Sequence, residues 1–187
     1  MSRAGRTALL AVGGGVAAYK SAILCSRLAQ DGWDVRVAMT RAATRFVGKP
    51  TFAALSGRPV MTRLFEPRSA PLGPHIEMAR DVDLMIVAPA TANLIAKFAH
   101  GMADDLISTL YLQVESPVVI APAMSDPMWR KDAVVRNVER LRQDGCHLVG
   151  PESGWLSCRA TGQGRMSEPE QILDLARTLF TGDPSEG

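Results

Sequence analysis

Short apolar runs alternate along this chain with longer stretches whose apolar residues fall at helical spacing. Thr7–Val12, Val35–Met39, Leu84–Ala88 and Val118–Ala121 are brief, β-rich and apolar throughout, the pattern of strands buried on both faces. His147–Val149 reads as one more strand. Between them, Val16–Gln30, Ala92–Ala99, Asp104–Leu112, Ala133–Asp144 and Pro169–Phe180 read as helices, and Gly32 stands as a stop signal after the first. Strands alternating with helices predict an α/β fold, a single-domain doubly wound parallel sheet with helices on both faces. Ligands of such sheets bind beyond the carboxyl ends of the strands. Attention therefore goes to Gly13–Ala18, Thr40–Phe46, Pro89–Asn93 and Pro122–Trp129.

Two regions break the alternation. Pro67–Pro74 is rich in Pro and Gly and precedes His75. Gly150–Met166 carries Gly154, Gly162 and Gly164 around Cys158 and has no periodicity, so it reads as a mobile loop or lid. Thr181–Gly187 reads as a frayed tail behind a core of about 7–180.

A length of 187 residues fits one domain. A net charge of +2, with scattered basic residues and 5% aromatics, offers no footprint for nucleic acid. Ala8–Val12 is too short to span a membrane, and no signal peptide is evident, so a cytoplasmic location is expected. The cysteines Cys25, Cys146 and Cys158 are odd in number and lack C-x-x-C spacing, which argues for free thiols. His75, His100 and His147 have no metal-ligand spacing with one another or with the cysteines, so no metal is expected.

The chemistry-bearing residues sit at the predicted strand ends. Gly13-Gly14-Gly15-Val16 between a strand and a helix brings backbone N–H groups to a phosphate, although a plain tight turn would use the same glycines. The second strand ends in Met39-Thr40-Arg41 where an NAD site would place an acid; the hydroxyl and guanidinium suit a phosphate. Arg41 would also suit the 2′-phosphate of NADP, and Thr40 would equally serve as a helix cap. Ala88-Pro89-Ala90-Thr91-Ala92-Asn93 offers small residues for close approach to a flat ring, while Thr91 can simply cap a helix. Pro122–Trp129 reads otherwise as a Pro-rich turn with its Met and Trp packed inward. His75 near a helix start is a candidate acid–base, and Cys158 beside Arg159 a candidate reactive thiol; Cys25 and Cys146 read as core residues.

Taken in order, GGGVAAYK from Gly13, Thr40-Arg41-Ala42 to Phe46, PHIEMARDVDLMIVAPATANLIAK from Pro74, GMADDL from Gly101, PAMSDPMW from Pro122 and CRATGQGRM from Cys158 resemble the homo-oligomeric flavin-containing cysteine decarboxylases. The resemblance runs from about Thr7 to Phe180 and is strongest to the branch that makes 4′-phosphopantetheine from 4′-phospho-N-pantothenoylcysteine in coenzyme A biosynthesis. It implies a Rossmann-like, flavodoxin-like fold and FMN as cofactor. It implies oxidation of the substrate thiol to a thioaldehyde, loss of carbon dioxide, and reduction of the resulting enethiolate. His75 would be the acid–base and Cys158 the proton donor of the last reduction. Gly14, Gly15, Val16 and Thr40 would hold the FMN phosphate end, and Phe46, Ala90, Thr91, Ala92, Asn93 and Ala123 the flavin. Met124, Ser125, Arg159 and Arg165 would face the substrate. Family members form trimers, some assembled as four trimers, with FMN near a subunit contact. In bacteria the domain is often fused to a phosphopantothenate–cysteine ligase, so the chain is either monofunctional or one domain of a larger protein. Two departures stand out: Ser125 where the family usually has Asn, and Arg159 where glycine commonly follows the cysteine. They keep two other readings open, an oxidative decarboxylase of a different cysteine substrate, such as a C-terminal peptide cysteine, and a flavin-binding regulatory protein with little activity.

Overall fold

The computed structural model describes residues 5–65 and 73–181. Five strands, β1 (Arg6–Val12), β2 (Trp33–Met39), β3 (Leu84–Ala90), β4 (Val118–Pro122) and β5 (His147–Leu148), form one sheet in the order β2-β1-β3-β4-β5. Every pairing in it is parallel. This is the flavodoxin-like order, and its switch point lies between β1 and β3. β1 therefore lies inside the sheet between β2 and β3, and each of Ala8 to Val12 is fully buried.

The pleat divides the core in two. Ala8, Leu10 and Val12 face one layer with α1 (Ala18–Gln30), α2 (Lys49–Ser56) and α8 (Pro169–Thr181). Leu9 and Ala11 face the other, with α3 (Pro74–Ala79), α4 (Ala92–Ala99), α5 (Leu106–Gln113) and α7 (Asp132–Gln143). Helices thus cover both faces, as the continuous apolar runs require.

The expected strands and long helices are present, with ends shifted by at most two residues. α1 starts at Ala18 because Gly15–Ala17 form a separate turn, in which the Ala18 amide donates to the Gly15 carbonyl at 3.0 Å. α2, α3 and the one-turn α6 (Asp126–Trp129) are too short to show a period. α2 did carry a punctuation signal: Pro50 lies in its first turn and Gly57 closes it in the left-handed conformation at φ 68°.

The larger correction concerns residues 150–166, expected to be an aperiodic mobile loop or lid and found to have regular structure. They form an antiparallel hairpin, β6 (Glu152–Trp155) and β7 (Thr161–Arg165), with Cys158 in its tip. Its glycines meet other backbone and side chains closely, as described below. Most of the Pro/Gly-rich stretch before His75, and the tail beyond Thr181, lie outside the described residues.

Candidate active site

The carboxyl ends of β1, β3 and β4 and the hairpin enclose a cavity of about 520 Å³. That volume is in the range of small-molecule and cofactor sites. Its floor is the glycine turn. A Cβ on Gly13 would lie 2.2 Å from the Pro89 carbonyl oxygen, and one on Gly14 would lie 2.3 Å from the Ala42 Cβ. These two glycines let the turn pack against the ends of β3 and β2, whereas Gly15 faces open space. No hydrogen-bond acceptor among the described residues engages the amides of Gly14 to Ala17. The start of α1 has no side-chain cap and no acid in its first turn. Unsatisfied N–H groups at the positive end of a 13-residue helix form a receptor for an anion such as a phosphate.

The β3 end adds Thr91 and Ala92. Thr91 Oγ1 accepts from the Leu94 amide at 3.3 Å and caps α4, so capping and cavity lining coexist in one residue. The β4 end adds Ala123, Met124 and Ser125. The Ser125 hydroxyl makes no hydrogen bond among the described residues and is left to whatever enters.

The hairpin is seated on this second wall by tight backbone contacts. The Met124 amide donates to the Gly164 carbonyl at 3.0 Å, and the Gln163 amide donates to Asp126 Oδ1 at 3.1 Å. A Cβ on Gly162 would come within 2.7 Å of the Asp126 Cβ. At the hairpin's foot the buried Lys20 Nζ donates to the Met166 carbonyl at 2.8 Å and to Glu168 Oε1 at 2.9 Å. Arg165 pairs with the same oxygen. The Lys20 hydrogen bond, with Arg165 behind it, holds the Glu168 carboxyl below the usual carboxylate range.

Ten of the residues expected to bind cofactor or substrate, or to act on it, line this one cavity: Gly14, Gly15, Val16, Thr91, Ala92, Ala123, Met124, Ser125, Cys158 and Arg165. Six do not. Ala90 is fully buried in β3, where its carbonyl accepts from the Ala123 amide. Thr40 Oγ1 accepts from the Ala43 amide at 3.0 Å, just ahead of a 3-10 turn, Ala43–Arg45, whose N-cap is Ala42. Phe46 and Asn93 are exposed beside the cavity's edge elements and do not line it. Arg159 lies in the hairpin tip at φ 61°, facing solvent. His75 stands in the first turn of α3, outside the cavity of the single chain. Its Nδ1 is buried without a hydrogen-bond partner among the described residues. The far end of α3 is held from β2, where Arg36 donates to the carbonyls of Met78 at 3.0 Å and of Arg80.

Sequence reasoning passed over Lys20 and Trp155, which also line the cavity. Lys20 was visible as a cation within the glycine motif, yet nothing local reveals its partners, which lie 146 and 148 residues away. Among the described residues no group of three or more His, Cys, Asp or Glu is placed to hold a metal.

The flavoprotein family pattern matches residues 2–181 of this chain. The chain belongs to the flavoprotein family. The anion-receiving turn and the adjoining apolar walls of the cavity fit what a phosphorylated flavin needs. The flavoprotein is 46% identical over 185 residues to the coenzyme A biosynthesis bifunctional protein CoaBC of Bacillus subtilis, covering 97% of this chain and 46% of that protein. It is 45% identical over 181 residues to the Escherichia coli K12 protein of the same name, with 97% and 45% covered. The chain thus spans less than half the length of these relatives. Among solved structures it is similar to a cysteine-to-serine variant of PPC decarboxylase complexed with pantothenoylaminoethenethiol, at a TM-score of 0.84 and 27% identity over 96% of this chain and 100% of that one. The FMN-binding protein AtHal3 aligns at a TM-score of 0.80 and 27% identity, over 96% of this chain and 99% of that one.

Proposed function

We propose that this flavoprotein catalyses the FMN-dependent decarboxylation of 4′-phospho-N-pantothenoylcysteine to 4′-phosphopantetheine. One observation carries the reading: the hairpin that bears Cys158 closes over the glycine turn, so thiol and phosphate receptor line one cavity. The names of the relatives and structural neighbours support it.

In this reading the amides of Gly14 to Ala17 and the start of α1 would hold the FMN phosphate, and Thr91, Ala92 and Ala123 would hold the flavin. Bound FMN would supply the redox chemistry, a two-electron acceptor whose electrons return to the substrate before the product leaves. The net change is redox-neutral: the carboxylate leaves as carbon dioxide and a proton takes its place. The protein's part is to position the substrate and move protons. Met124, Ser125 and Arg165 orient the substrate, and Cys158 Sγ gives the proton that completes the product. The hairpin acts as the lid that keeps water from the site.

His75 is assigned acid–base chemistry, and its place outside the single-chain cavity calls for a second copy to complete the site. A homotrimer, alone or as four trimers, supplies one. Exposed Val16, Tyr19 and Trp155 around the cavity rim are suited to burial in such an assembly. No helix among the described residues is long and apolar enough to cross a membrane. The assigned setting is the cytoplasm, as one flavoprotein domain, with a phosphopantothenate–cysteine ligase acting as a fused or separate partner. The bifunctional relatives support that pairing.

The free Ser125 hydroxyl favours one second reading, a different cysteine-containing substrate. Both are tested by incubating FMN-loaded protein with phosphopantothenoylcysteine and with a peptide ending in cysteine, then weighing the products. The main reading expects 4′-phosphopantetheine, with loss of turnover in His75→Asn and in Cys158→Ser. An enethiol from the peptide, lighter by two hydrogens, with no turnover of the first substrate, selects the second. Restored activity on mixing the two inactive variants is expected if neighbouring copies share a site.

A further inference from the structure

Lys20 occupies an unfavourable place for a cation. It lies in the first turn of α1, where the helix dipole already presents positive charge. It is also buried, with 4% of its surface exposed. A methionine would fill much the same volume without the cost of removing an ammonium from water. Among the described residues the charge is satisfied across the fold, by the Met166 carbonyl and Glu168 Oε1 at the foot of the hairpin. Glu168 Oε1 is shared with the Arg165 guanidinium, and Arg165 lines the cavity.

We propose that Lys20 is a positioning residue: its buried ammonium fixes the foot of the hairpin to the first turn of α1, and Glu168, so held, aims the Arg165 guanidinium at the phosphate end of the substrate. The proposal deepens the decarboxylase reading and rests on it for the substrate. It joins two parts of the site that the chain places far apart. The glycine turn at 13–16 receives one phosphate, and the hairpin at 152–165 presents a cation for another. Lys20 sets the distance between them. Both of its hydrogen bonds point to the hairpin foot, so it acts through Glu168 and does not itself bind the cofactor phosphate.

The test uses FMN-loaded protein carrying Lys20→Met, Lys20→Arg or Glu168→Gln. Three quantities are measured: KM and kcat for phosphopantothenoylcysteine and for its dephosphorylated analogue, the FMN dissociation constant by fluorescence, and hydrogen exchange of the amides at 152–166. For Lys20→Met we expect KM for the phosphorylated substrate to rise about tenfold or more, with a change of less than about threefold for the analogue and in the FMN constant. Hairpin amides should exchange faster, and Lys20→Arg should restore both protection and KM. Glu168→Gln should raise the same KM while leaving the FMN constant alone. Unchanged hairpin exchange in Lys20→Met, an equal KM rise for both substrates, or weakened FMN binding as the main effect would each overturn the proposal. If the wild type turns over neither substrate, the functional reading fails, and the exchange measurement still decides whether Lys20 holds the hairpin. Should Lys20→Met not fold, Glu168→Gln and Lys20→Arg carry the same comparison.

Discussion

Gly164 and Met124 touch backbone to backbone: a Cβ on Gly164 would lie 2.2 Å from the Met124 carbonyl oxygen, and Gly164 holds φ 136°. This contact seats the hairpin against the β4 end and so closes the cavity. Gly164→Ala should therefore unseat the hairpin. We expect a stability loss of roughly 1–3 kcal/mol in thermal or denaturant unfolding. A larger fractional loss of activity should accompany it. Full activity with unchanged hairpin hydrogen exchange would show that the hairpin is not part of the site.

Arg159 adopts φ 61° in the hairpin tip, the left-handed region that costs a side-chain-bearing residue about 1–2 kcal/mol. Part of that gain is offset by the greater unfolded-state freedom of glycine. Arg159→Gly should thus leave the protein as stable or up to ~1 kcal/mol more stable, read as a small rise in Tm. A lowered Tm would mean that the arginine side chain has a partner in solution that outweighs the backbone cost.

The three thiols should differ sharply toward an alkylating agent. Burial pushes the Cys25 thiol up to about 11, and burial is also what chiefly raises Cys146, whose Sγ lies 3.5 Å from the Tyr111 hydroxyl. Cys158 is exposed. Iodoacetamide at neutral pH should therefore modify Cys158 first and leave the other two intact, as peptide mass mapping would report. Modification should abolish turnover.

Glu168 ties acid stability to the hairpin. Its folded-state carboxyl is held below the ordinary value of 4.5, first by the Lys20 hydrogen bond. A depressed carboxylate contributes stability that is fully present above the unfolded value and is lost as pH falls through the folded one. Hairpin amide protection should accordingly stay constant from neutrality to about pH 5 and fall below pH 4.5. Glu168→Gln should remove that acid-side slope. A slope that survives the substitution would assign it to another carboxylate.

Much of the fold was legible in the residues because buried parallel strands and amphipathic helices write their periods into the chain. Leu9 and Leu10 are apolar side by side because the sheet is covered on both faces. The glycine turn was legible too, since only glycine at 13 and 14 permits the contacts with Pro89 and Ala42. What local pattern could not specify were contacts made at long range. Gly162 and Gly164 look like punctuation of a loop until Asp126 and Met124 are brought against them, and then they are the reason a hairpin can dock. The partners of Lys20, and the position of His75 outside the cavity, depend on how distant segments meet. The alternation of side chains is a property of neighbouring residues, and so it could be read along the chain. The meeting of residue 20 with residue 168, or of residue 124 with residue 164, is a property of the packed core, and only folding in three dimensions decides it.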